Sequence, residues 1–98
     1  MAGFDQERFR DLLAATHVFP GPYQLTVITV TDDAVVAALR AALQIGRDDP
    51  IADDAWKTRQ SAGGRYTSHR VTLVCASADD VVELYDRVRT LRGVVTAM

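Results

Sequence analysis

The stretch Arg59-Gln-Ser-Ala-Gly-Gly-Arg-Tyr66-Thr-Ser68 runs directly toward Val71-Thr-Leu-Val-Cys75, so that a glycine pair is followed at once by alternating residues of strong strand preference. A glycine pair leading into such a run predicts a tight hairpin turn at Gly63-Gly64, with Gly64 at positive φ. The turn joins a more polar strand at residues 55–60, which contains Trp56 and is placed at a sheet edge, to a longer strand at residues 66–76.

Working outward, Thr31-Asp32-Asp33 supplies capping oxygens and negative charge at a helix start. Val35, Val36, Leu39, Ala42 and Leu43 follow as an apolar stripe that ends near Gly46. Before it, residues 23–31 form a strand whose apolar residues fall on both parities, as a central strand requires. After the hairpin, Ser77-Ala-Asp-Asp80 matches the positions of a capping box with a short acid, and Val81, Leu84, Tyr85 and Val88 recur at helical spacing. Gly93 then separates that helix from a last strand at residues 94–98.

The order strand, helix, strand, strand, helix, strand predicts an α+β fold, the ferredoxin-like βαββαβ plait. Right-handed crossovers place both helices on one face of a four-stranded antiparallel sheet with the first and third strands in the middle. Residues 1–18 stand outside this unit as an amphipathic N-terminal helix, with Phe4, Phe9, Leu12 and Leu13 on one stripe, and residues 19–98 form the plait. The prolines of Phe19-Pro-Gly-Pro22 end the helix. The second sheet face is open unless that helix or another subunit covers it.

Phe19-Pro20 before the first strand, Ser61, Gly64, Tyr66 and Ser68 around the hairpin, Leu84-Tyr85 in the last helix and the ending Val94-Val95-Thr-Ala-Met98 together resemble the YbeD-like family, a bacterial domain of unknown function (number 493) with an ACT-like ferredoxin fold. The resemblance implies the same plait and, as in ACT-like domains generally, assembly through sheet faces and edges. Two departures bear on function. Gln60, Ala62 and Gly63 stand where the family hairpin has proline, serine and lysine, removing one cation. Thr29 stands where a glycine lets ACT domains bring backbone close to an amino-acid ligand.

Composition confines the argument to local features. The chain has 98 residues, 48% hydrophobic and 24% charged, with a net charge of -2, which gives one small domain and no global attraction to nucleic acid or anionic membrane. One cysteine, Cys75, lies in an apolar run and reads as a buried small hydrophobe in a reducing compartment, so a cytoplasmic location is expected. No run approaches the length of a membrane span and the polar start is no signal peptide.

Charge is nevertheless segregated. Residues 55–78 hold Lys57, Arg59, Arg65 and Arg70 with no acid, whereas the remainder holds seven basic and thirteen acidic residues. These four cations form a candidate anion patch, set against the simpler reading that cations on an edge strand prevent edge-to-edge pairing. Ser61, Gly64, Arg65, Tyr66 and Ser68 form a candidate ligand site beside the turn, set against hydroxyls that merely satisfy the turn backbone. Trp56, Ile28, Val30 and Val74 are candidate interface residues, the last three opposite in parity to Leu25, Val27, Leu73 and Cys75.

No catalytic residues, metal ligands or cofactor are assigned. The two histidines, His17 and His69, belong to no Cys/His cluster, and the four Asp-Asp pairs sit at turns and helix starts. The expected function is a non-enzymatic regulatory or adaptor domain acting as a homodimer or with a protein partner. The alternative is a sensor of a small metabolite or anion near the Gly63-Gly64 hairpin. Nucleic acid and membrane are not expected partners, since the net charge is -2 and four local cations make a weak footprint.

Overall fold

The structure, a computed structural model, describes residues 5–98. Phe4, assigned above to the apolar stripe of the first helix, lies outside the described residues. The elements in order are α1 (Gln6–Thr16), β1 (Gly21–Val30), α2 (Asp33–Gln44), a 3-10 turn (Asp53–Ala55), β2 (Trp56–Gln60), β3 (Tyr66–Cys75), α3 (Ala78–Arg89) and β4 (Val94–Ala97). The strands form one antiparallel sheet in the order β2-β3-β1-β4, so the ferredoxin-like plait with a preceding helix is the fold.

The ladder between β1 and β3 runs unbroken from Gly21↔Cys75 to Val30↔Tyr66. Side chains alternate across a strand, and in this register odd-numbered residues of both strands share one face. Leu25, Val27, Thr29, Val71, Leu73 and Cys75 are thereby buried beneath the helices. Leu39 and Leu43 of α2 and Val81, Leu84, Tyr85 and Val88 of α3 close that core from above. Burying one such aliphatic side chain contributes roughly 1.5–3 kcal/mol.

Helix ends follow the expected chemistry. Asp5 accepts from the Arg8 amide at 3.0 Å, and Asp32 accepts from the Ala34 amide at 2.8 Å. Ser77 accepts from the Asp80 amide at 3.3 Å, while the Asp80 carboxylate accepts from the amide of Ala76 at 3.1 Å. The shorter acid thus bonds the residue before the cap, a variation on the usual reciprocal box. After α2, Gln44 ties the following loop, donating to Asp49 O at 2.7 Å and accepting from the Ile51 amide at 3.1 Å.

α1 does not cover the open sheet face, although the sequence allowed it. It packs on α3, with Phe9 edge-on to Tyr85 at 5.6 Å, Gln6 donating to Asp86 at 2.8 Å and Arg10 paired with Asp79. Leu13 joins the core, but Leu12 is 60% exposed, because residues 6, 9, 10 and 13 are the ones at the spacing that meets α3. The stripe therefore does not include Leu12. All three helices lie on one side and the other sheet face is left open by the described residues.

The hairpin is wider than a two-residue turn. Ser61 N–H bonds Tyr66 O at 2.8 Å and Gly64 N–H bonds Ser61 O at 2.8 Å, so four residues form the loop, and only Gly64 of the glycine pair has positive φ (72°). A two-residue type I′ turn needs positive φ at both positions, which Gly63 does not supply. Gly93 is more demanding than either. At φ 88° a Cβ would lie 2.6 Å from Val35 Cγ2, where β4 begins beneath the first turn of α2. Gly93→Ala is expected to destabilise the domain by about 2 kcal/mol or more, from backbone strain plus overpacking. Gly63→Ala, at negative φ with open space around its Cβ position, should stay within about 0.5 kcal/mol. Urea unfolding of the two variants checks the contrast.

Candidate functional site

Even-numbered residues of β1 and β3 form the open face, and the register orders them in rows across the sheet. Arg59, Ser68, Ile28 and Thr96 make one row, and Lys57, Arg70 and Thr26 the next. Thr72 pairs with Gln24 beyond them. At one end Tyr66 faces Val30, and at the other Val74 faces Pro22.

Three of the four candidate cations converge on this face. Lys57 and Arg70 are direct cross-strand partners, Arg59 lies one row along, and a depression of about 300 Å³ is lined by Lys57, Thr58, Arg59, Ser68 and Arg70. No carboxylate among the described residues forms an ion pair with any of them; the pairs present are Arg10 with Asp79 and Arg47 with Asp80. Arg65 is set apart. It sits in the hairpin loop with its guanidinium 5.9 Å from the Tyr66 ring centroid.

The candidate ligand residues divide similarly. Ser61 is committed to the turn, its hydroxyl accepting from the Tyr66 amide at 3.1 Å. Gly64 serves the loop conformation. Tyr66 and Ser68 face outward and, with Ile28, Arg59, Gln60, Ser61 and Val95, line a second depression of about 340 Å³. Of the candidate interface residues, Ile28, Val30 and Val74 lie on the open face, but Val74 stands at the far end from the other two, so they form no single patch.

Trp56 requires a correction. It belongs to the edge strand, but its register with Val71 turns the ring toward the helices, where it is 9% exposed under the Arg40 guanidinium. It is therefore a core residue of the edge strand and not the exposed interface residue expected there. Its indole N–H donates to His69 Nδ1 at 3.1 Å. His69 Nε2 lies 3.1 Å from Thr29 Oγ1, which in turn donates to Val30 O at 2.9 Å. Each hydrogen then has one direction: indole to imidazole, imidazole to hydroxyl, hydroxyl to carbonyl. This assigns a neutral His69 carrying its proton on Nε2.

This buried chain was not read from the sequence. The signal available was parity, since His69 shares it with Val71, Leu73 and Cys75 in the same strand. Thr29, seen earlier only as a lost glycine, is buried on the helix side of the sheet and accepts a hydrogen bond from the imidazole N–H. Cys75 is buried likewise, and burial, with the charge of Asp80 adding, pushes its thiol pKa up, which disfavours a thiolate nucleophile.

The family model for the protein of unknown function DUF493 matches residues 14–98. The chain belongs to the DUF493 family. No curated protein matches it. The match begins within α1, five residues before the Phe19 at which the resemblance was first legible, and spans the whole plait of this DUF493 domain. Among its described residues, no three His, Cys, Asp or Glu side chains come together as a metal site. No helix among them is long and apolar enough to cross a membrane.

A larger depression of about 580 Å³ in the DUF493 domain adjoins Arg47, Asp48, Asp49, Pro50 and Asp80. Its cation is already engaged, since Arg47 donates to Leu43 O at 3.1 Å and to Val74 O at 2.7 Å and pairs with Asp80. On the open face, by contrast, Lys57, Arg59 and Arg70 have no ion pair among the described residues.

Two outcomes test the buried chain. Burial lowers the His69 pKa below its ordinary 6.5. The unfolded chain therefore takes up this proton at a higher pH than the folded one, so the stabilisation is full above pH 6.5 and declines as pH falls below it, at up to about 1.4 kcal/mol per pH unit. NMR titration of the His69 ring should give a midpoint below 6.5, and a higher one would break the assignment. Trp56→Ala should cost about 3–5 kcal/mol, as a core aromatic does, read by chemical denaturation.

Proposed function

We propose that this DUF493 domain is a non-enzymatic docking module that engages an acidic segment of a protein partner through its open sheet face. The observation that carries this reading is the group Lys57, Arg59 and Arg70, three cations on one face with no ion-pair partner among the described residues. Like charges directly across a ladder are destabilising, so the Lys57–Arg70 pair is a cost to the fold that an acidic partner would relieve. Gln24, Thr26, Ser68 and Thr72 surround the cations with donors and acceptors that suit a polar protein surface.

Other classes have less support. His69, whose two ring nitrogens are both engaged, and buried Cys75 offer no activated group for catalysis. Stacked bases would need aromatic residues among the cations, and the central rows of this face carry Ile28, Thr26 and Gln24 instead. A small amphiphilic carboxylate is a second reading, favoured by the depression in which Arg59 and Ser68 meet Ile28, Tyr66 and Val95. Native mass spectrometry of the protein from its own cells distinguishes the two, as a retained small mass would favour the carboxylate.

Photo-crosslinkers placed at Thr72 on the open face and at Glu83 on α3 test the docking reading in cells. Adducts with an acidic stretch of a partner are expected from Thr72 and not from Glu83, and Arg59→Glu with Arg70→Glu should abolish them. Adducts confined to Glu83, or open-face adducts indifferent to charge reversal, would overturn it. In the isolated domain, Arg70→Thr should leave stability unchanged or raise it by about 0.2–1 kcal/mol, because it removes the cross-strand repulsion. Thermal unfolding checks this.

A further inference from the structure

β2 is an edge strand whose outer side is uncovered: Lys57, Thr58, Arg59 and Gln60 are all exposed, and β3 occupies the other side. Two hydrogen bonds fix which backbone groups face outward. Ser61 N–H points to β3, bonding Tyr66 O, whereas Trp56 N–H points the other way, bonding Asp53 O in the 3-10 turn. Backbone direction alternates along a strand, so Lys57 and Arg59 bond toward β3, while Thr58 and Gln60 direct their N–H and C=O groups into solvent. Neither residue's backbone has a hydrogen-bond partner outside the ladder among the described residues.

The opposite edge is a poorer template. β4 has four residues and its pairing with β1 shifts register between Ile28 and Thr29. It also carries no charge to select a partner, being Val-Val-Thr-Ala.

We infer that the acidic segment docks as an added fifth strand along β2, with acidic side chains at alternate positions facing Lys57 and Arg59 on the open face. This rests on the docking reading above and specifies its geometry. Main-chain bonds to Thr58 and Gln60 supply binding that is indifferent to sequence, and alternate side chains supply the choice of partner. The same cations disfavour a second copy in the registers that use most of the strand. An antiparallel pairing of two β2 strands centred on Thr58 sets Lys57 against Arg59 of the other copy twice over, and one centred on Arg59 sets that residue against itself. A strand bearing Glu or Asp at alternate positions reverses both contacts, with Arg70 one strand further in adding to the attraction.

The test is an NMR titration of the full chain with a terminally blocked eight-residue peptide of alternating Thr and Glu. Two analogues, N-methylated on every Thr or on every Glu, serve as controls. Strand addition protects the Thr58 and Gln60 amides from exchange. It also requires that one analogue, and not the other, bind about tenfold more weakly, because methylation removes the donors on one side only. Binding should weaken about tenfold or more in Lys57→Glu/Arg59→Glu and fall with added salt. Thr58→Pro removes one outward donor at a position where an edge strand accommodates proline, and should lower affinity without unfolding the domain.

If both analogues bind as well as the parent and the shifts fall on Ser68, Arg70 and Thr72 alone, the added strand is overturned while face docking stands. If the peptide perturbs neither region at low salt, or a single-stranded oligonucleotide of equal charge binds more tightly, both readings fall.

Discussion

The unbroken pairing of β1 with β3 is the constraint from which the rest of the molecule follows. Ten residues on each strand are matched without a bulge, and with a side-chain period of two only a register of this parity puts Leu25, Val27, Val71 and Leu73 under the helices. A slip by one residue would expose that set and bury Thr26, Arg70 and Thr72 in its place. The same register decides what water sees, since every even residue of the two central strands is assigned to the open face by the act of burying its neighbours.

Two polar consequences of that register differ in kind. On the helix side, His69 and Thr29 are carried into the core by their parity, and their burial is tolerable because Trp56 and the Val30 carbonyl complete a chain with every group engaged. On the open side, Lys57, Arg59 and Arg70 are gathered with no ion pair among the described residues, although Asp54 lines a depression beside Lys57 and Arg70. The first arrangement fixes one conformation of the edge strand, since the Trp56 ring under Arg40 ties the start of β2 to α2 and β3 together. The second leaves Lys57 and Arg59 exposed on that strand, which presents a cationic edge to solution.

The N-terminal helix reinforces this division. Its contacts with Tyr85, Asp86 and Asp79 place it on α3 as a third helix of one layer. Behind it, the Tyr23 and Tyr85 hydroxyls meet at 2.9 Å, and their burial and mutual bond push the Tyr85 phenol above its usual range. A helix lying instead across the sheet would have covered the cations with Phe9 and Leu13. Packing it on α3 keeps the apolar residues together and the charged face free.

Much of this was legible in the chain. The glycine pair before an alternating run, the Asp and Ser caps, and the stripes in α2 and α3 are local signals, and local signals sufficed for the order of elements and hence the plait. The hairpin's four-residue width was not legible, because Gly63 and Gly64 look alike in sequence and differ only in φ. The segregation of cations between residues 55 and 78 was visible as composition. That three of them share a face while Arg65 does not, that Trp56 turns inward and that His69 joins it were not, because each depends on which residue of one strand stands opposite which residue of another. Sequence determined the elements and the charge they carry, since propensity, capping and periodicity act within a few residues. Only the tertiary structure decided which side of the sheet that charge occupies, because strand register is set by long-range burial that no local stretch encodes.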